Sequence, residues 1–178
     1  MSPVPAHRSR RLALVLMAAL LALDQGLKVW IRLAVPEHRI TPLLPHFLEL
    51  THVENRGVSF SILENLGDQW RVPLLVGMSA LAIAALAVYW LRNARGMNAF
   101  ANLAFALILP GAVGNLIDRL VFGTVTDYFH FRFYETSFFV NNAADIMISA
   151  GVVAYVIGTI QQGRRDRQPD RRPVGRGR

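Results

Sequence analysis

Four aspartates stand where a carboxylate is expensive. Asp24, Asp118 and Asp145 lie within or at the ends of long apolar runs, and Asp127 lies just beyond one. Ionisable groups in such surroundings are functional candidates by default. Amide and basic residues accompany them at helical spacing: Asp24 with Lys28, Asn115 with Arg119, and Asn142 with Asp145 are each three or four residues apart and share a helix face. Asp24 and Lys28 fit a buried ion pair as well as a site, and Asp118 fits a structural ion pair with Arg119 or Lys28. Asp127 and Asp145 have no basic neighbour in sequence. Two carboxylates at one low-dielectric site share a proton, because both cannot easily ionise. One then takes a proton from water while the other, protonated, polarises a carbonyl. This chemistry needs neither a metal nor a nucleophilic side chain.

Other chemistries find little support. The chain has no cysteine, which removes disulfides, thiolate metal sites and a cysteine nucleophile. His7, His38, His46, His52 and His130 show no HExxH spacing and read as interfacial residues. GxSxG, P-loop and dinucleotide patterns are absent, and neither a cofactor nor a metal is expected.

The elements that must carry these residues are membrane spans. Val72–Leu91, Gly96–Ile117 and Ile146–Gly163 carry no charge over 20, 22 and 18 residues, about the length that crosses a hydrocarbon core of about 30 Å. Leu12–Leu23 is a shorter apolar run behind Arg8, Arg10 and Arg11, and the pattern resumes after Asp24. A cleaved leader is the alternative reading, but no small-x-small cleavage site follows. Spans are therefore expected at about 12–33, 72–91, 97–120 and 141–160, within a domain of 12–162 flanked by a basic N-terminus (1–11) and a disordered basic tail (163–178). Although the net charge is +7, 12 of the 19 basic residues are arginines of the two termini and the Arg92–Arg95 turn. That asymmetry predicts both termini in the cytoplasm and argues against a nucleic-acid partner. With this topology all four acids converge on the external half of the bilayer. Asp24, for one, stands about 18 Å along its helix from Leu12. Between spans one and two, Phe47, Leu48, Leu50 and Val53 suggest a strand, and Val58, Phe60 and Ile62 alternate with serines beyond a turn at Asn55-Arg56-Gly57. The fold class expected is an all-α polytopic membrane protein of four helices with a small extracytoplasmic β-element. The stretch between Asp127 and Asp145 is expected to be a loop.

The polar islands resemble the lipoprotein signal peptidase (signal peptidase II) family. Asp24-Gln25-Gly26-Leu27-Lys28 is similar to its D-Q-x-x-K motif, and Asn55-Arg56-Gly57-Val58-Ser59-Phe60 to N-x-G-[AV]-[AS]-F. Gly114-Asn115-Leu116-Ile117-Asp118-Arg119, then Gly123-Thr124-Val125-Thr126-Asp127-Tyr128, resembles G-N-x-x-D-R…G-x-V-x-D-[FY], and Asn142-Ala143-Ala144-Asp145 resembles F-N-x-A-D with Asn141 in place of the aromatic. The resemblance covers about residues 12–160. It implies catalytic Asp127 and Asp145, supported by Asp24, Lys28, Asn55, Gly57, Asn115, Asp118, Arg119 and Asn142. It also implies a periplasmic β-cradle with a short helix, and an inner-membrane enzyme acting as a monomer. The implied substrate is a diacylglyceryl-modified prolipoprotein, cut just before the lipidated cysteine, with globomycin as a blocker and membrane lipid as surroundings.

Two other classes stay open on residues alone. A small transporter would also bury Asp, Asn and Arg, but no pseudo-repeat is evident. A metal-dependent lipid transferase would need paired acids in one D-x-x-D motif, which is absent.

Overall fold

The computed structural model describes residues 6–57 and 67–166. The alternating stretch at Val58–Ile62 and the sequence beyond Asp166 lie outside them. Four helices are long and apolar enough to cross a membrane: α1 (Ala6–Ala34), α2 (Asp68–Asn93), α3 (Ala99–Phe122) and α4 (Ala143–Asp166). Between them lie β1 (Thr41–Leu44) and β2 (Leu48–Asn55) before α2, and β3 (Val125–Phe133) and β4 (Thr136–Asn141) before α4. Helix α1 runs unbroken through Asp24. Helix α4 continues past Gly163 to Asp166, so residues 163–166 are helical where a disordered tail was expected. Arginines in a last turn suit the negative end of the helix dipole.

Helix α3 is the axis of the bundle, with α1, α2 and α4 all packed on it and α4 packed most extensively. Its sequence explains this. Gly111 lies against the backbone of Ala144, and Gly151 of α4 lies against that of Ala104. Small residues let helix backbones approach where lipid supplies no hydrophobic drive between them. Asn98 caps the start of α3, its side chain accepting from the Ala101 N–H. Gly123 ends the helix in the left-handed conformation, its N–H donating to Arg119 O.

The strands form one antiparallel sheet in the order β1-β2-β3-β4. The segment expected as a loop between Asp127 and Asp145 is thus a hairpin, β3–β4, that pairs with β2. Phe129, Phe131 and Phe133 alternate with His130 and Arg132, a half-buried strand's period. Phe131 packs against both Phe47 and Phe139. Among the described residues no short helix accompanies the sheet.

Candidate active site

Register builds the site first. Val53 pairs with Asp127 and Asn55 with Val125, after an irregularity in pairing between Leu50 and Val53. Asn55 is therefore the diagonal neighbour of Asp127 on one face of the sheet, and its Nδ2 donates to Asp127 Oδ2 at 2.8 Å. The Asn55 Oδ1 accepts from the Gly57 N–H at 2.8 Å. Gly57 has φ +84°, a left-handed conformation suited to glycine, and an added Cβ would strike the Leu75 side chain of α2.

The opposite face of these strands holds a second polar cluster. Glu54 accepts from Thr126 Oγ1 at 2.9 Å and from Thr124 Oγ1 at 2.5 Å, and meets His52 Nε2 at 3.0 Å. Burial pushes the Glu54 carboxyl up, but these hydrogen bonds and the Arg32 charge outweigh it and hold the group below its ordinary range. His52 is buried, with Nδ1 2.9 Å from Val35 O, and His130 pairs with Glu49.

Asp145 is set by the start of α4. Asn142 Oδ1 accepts from the Asp145 N–H at 3.0 Å, and Asp145 Oδ2 lies 3.4 Å from the Asn142 N–H, the reciprocal pattern of a capping box. The other first-turn amides have partners from elsewhere: Ala143 N–H donates to Tyr128 Oη at 3.0 Å and Ala144 N–H to Asp24 Oδ1 at 3.1 Å. Each orphan amide of this helix start is thereby satisfied, by β3, by α1 and by the cap itself.

The two assemblies meet at Asn142. Its Nδ2 donates to Asp127 Oδ1 at 2.6 Å while its main chain and side chain hold Asp145. Asn115 of α3 completes the bridge: its Nδ2 donates to Asp145 Oδ1 at 2.9 Å, and its Oδ1 accepts from Lys28 Nζ at 2.8 Å. Burial raises the Asp127 carboxyl to about 6, and the nearby Asp145 charge pushes the same way, while hydrogen bonds from Asn55 and Asn142 oppose it.

Beneath the pair lies an ionic layer. Lys28 Nζ is 3.0 Å from Asp24 Oδ2 and 3.1 Å from Asp118 Oδ2, and all three side chains are wholly buried. Asp118 also faces Arg32 Nη2 at 2.9 Å, without hydrogen-bond alignment, and accepts from the Thr126 N–H at 3.2 Å. Its cations are thus on α1. Of the two ion-pair partners expected for Asp118, Lys28 forms the pair, and Arg119, one residue further round α3, points elsewhere. Arg119 is half-buried within the fields of Asp145 and Asp127, and its Nη1 lies 3.4 Å from Asn115 O. Arg32 and Glu54 belong to the site although no motif marks them. Arg32 continues the face of Asp24 and Lys28 at the same four-residue step, a signal that was present in the sequence.

A four-helix membrane bundle that gathers two carboxylates and their asparagine partners beside a small sheet defines a class: a polytopic membrane peptidase of the aspartic type. The chain belongs to the signal peptidase II family, whose profile, Signal peptidase (SPase) II, matches residues 16–161. It is 38% identical to the lipoprotein signal peptidase of Allorhizobium ampelinum over 78% of this chain and 82% of that protein. It is 36% identical to that of Sinorhizobium fredii, covering 88% and 90%, and 37% identical to that of Clostridioides difficile, covering 80% and 90%. Its fold is similar to a bacterial membrane enzyme solved by the in meso method, with a TM-score of 0.75 at 23% identity, covering 90% of this chain and 94% of the other. A second such structure gives a TM-score of 0.73 at 26% identity, covering 84% and 92%.

Proposed function

We propose that this protein removes the signal peptide from diacylglyceryl-modified prolipoproteins, cutting just before the lipidated cysteine, with Asp127 and Asp145 activating the water. The observation that carries the reading is Asn142, which holds both carboxylates at once. The relatives' shared name, lipoprotein signal peptidase, supports the substrate class.

The chemistry follows from one proton on the pair. The ionised carboxylate takes a proton from water as the oxygen attacks the scissile carbonyl carbon, and the protonated partner donates to the carbonyl oxygen. The first carboxyl then passes its proton to the leaving nitrogen as the C–N bond breaks, and the second recovers its own from the collapsing diol. Asn55, Asn115 and Asn142 hold the carboxyls, while Lys28, Asp24 and Asp118 hold the asparagines and helix ends that position them. In this reading the sheet is periplasmic, the bundle lies in the inner membrane with both termini cytoplasmic, the enzyme acts as a monomer, and globomycin occupies the same site.

The test is release of signal peptide from a purified diacylglyceryl-modified prolipoprotein. Cleavage should survive a chelator, need no ion gradient, and vanish in Asp127→Asn and in Asp145→Asn. The double variant should be no worse than either single, as for residues acting as a unit. Turnover retained by either folded single variant overturns the dyad.

A further inference from the structure

At the end of the bundle remote from the sheet, two cavities of about 500 and 530 Å³ share Gly96, Met97 and Gln162. One lies between the α2–α3 turn and the end of α4, lined by Asn98 and Gln161 among others. The other extends along α2 and α4, lined by Tyr89, Asn93, Tyr155 and Thr159. Helices α2 and α4 each pack on α3 and scarcely on each other, which leaves a cleft over α3 between them. Tyr89 of α2 and Tyr155 of α4 hydrogen-bond to each other and form its floor, both rings resting on Phe105 of α3 with centroids 5.8 and 6.0 Å from it.

The charge around this cleft is one-sided. Arg92, Arg95 and Arg164 are exposed, and each adjoins a lining residue (Asn93, Gly96 and Gly163). No acidic residue occurs in 6–23, 69–117 or 146–165, so these helices bring no counter-charge until Asp166. The turn that presents two of the arginines is pinned. Asn102 Nδ2 donates to the carbonyls of Ala94, Met97 and Asn98 at 3.1, 3.2 and 3.3 Å, and its Oδ1 accepts from Trp90 Nε1 at 3.1 Å. Asn98 Nδ2 then donates to Gly158 O at 2.7 Å and ties the turn to α4. A preformed seat spares a ligand the cost of ordering it.

We propose that this cleft binds one anionic phospholipid, its phosphate at Arg92, Arg95 and Arg164 and an acyl chain along the aromatic floor between α2 and α4. The polar half of the cleft lies at the ends of the spans, where headgroups lie, and the aromatic half runs into the depth of acyl chains. Basic pockets between transmembrane helices are suited to such headgroups. A free phosphate would use the arginines but not the floor.

The test uses the full chain in phosphatidylcholine nanodiscs doped with phosphatidylglycerol of the same acyl composition, read by native mass spectrometry. One phosphatidylglycerol should stay bound per chain in preference to phosphatidylcholine. Arg92→Gln with Arg95→Gln should lower its retention on the order of 30-fold, the sum of two arginines at about 1 kcal/mol each. Thr159→Trp keeps the charge but blocks the cleft, and should lower retention as well. Signal-peptide cleavage in the same discs reports that each variant is folded. Equal retention of the two lipids, indifference to the arginines, or indifference to Thr159→Trp in folded protein overturns the proposal. So does displacement of the lipid by millimolar inorganic phosphate, which would make this a free-anion site.

Discussion

Lys28 has three ammonium hydrogens and three acceptors, Asp24, Asp118 and Asn115, with no solvent exposure. Because the lysine claims the Asn115 oxygen, the Asn115 amide nitrogen must face Asp145. A buried cation thus fixes which atom meets a proposed catalytic carboxylate. Asp118→Asn would leave Lys28 with the Asp24 carboxylate alone and Arg32 with only Glu54, 3.8 Å away, and breaking a buried pair in this way costs about 3–5 kcal/mol. Asp118 itself does not touch the pair, so this variant should lose folded yield and thermal stability yet retain measurable cleavage. Complete inactivity in well-folded protein would contradict the structural role. Asn55 gives a test of opposite kind. Its hydrogen bond favours the ionised form of Asp127, whose carboxyl burial has already raised to about 6. The active form holds one proton on the pair, so kcat/KM should fall as pH rises and that proton leaves. Without the Asn55 amide the proton is kept to higher pH, so Asn55→Ala should move the descending limb upward. A limb that stays in place or moves down would detach Asn55 from the titration.

At the scale of elements, the start of α4 is the joint of the site: its first three amides are held by Tyr128, Asp24 and Asn142. Asp24 reaches it because α3 has glycine where α1 crosses. A Cβ on Gly114 would collide with the Asp24 carboxylate, and the Gly114 carbonyl accepts from Gln25 at 3.2 Å. Gly114→Ala should therefore displace Asp24, free the Ala144 amide and lower kcat at least tenfold, since a hydrogen bond from a buried amide to a charged acceptor contributes about 1.5–3 kcal/mol. Unchanged cleavage would mean that α4 seats without α1. The spans, the Asp24–Lys28 face and the Asn142–Asp145 turn were legible because each is set by spacing within one helix. The β3–β4 hairpin was not, since its pairing with β2 joins residues some seventy positions apart, as Asn55 and Asp127 are. The alternation of Phe129, Phe131 and Phe133 with His130 and Arg132 has a strand's period, but nothing local names a partner strand, and the stretch reads as a loop. Of the two partners open to Asp118, Lys28 is the one it meets and Arg119 is not, because neighbours on a helix face different ways and Asp118 turns to α1.

For the whole molecule, polarity is the organising fact. The proposed dyad, the ionic layer and the sheet occupy one end of the bundle, while Arg92, Arg95 and Arg164 mark the other. In the proposed orientation, which positive-inside bias supports, the arginine end is cytoplasmic. Reporter fusions after residue 166 should therefore be active only on the cytoplasmic side, and a periplasmic signal would invert the proposed orientation. The capping box at Asn142–Asp145 has a further consequence, for how the protein is made. Asp127 emerges from the ribosome before Asp145, and the three amides that seat Asp145 exist as a helix start only once α4 winds. A nascent chain with three helices inserted has one member of the proposed pair, Asp127, and lacks Asp145 to share its proton. On the proposed dyad, proteolytic competence arrives only with the fourth helix, and a chain truncated before it, or one whose fourth helix fails to insert, would be harmless to the membrane that holds it.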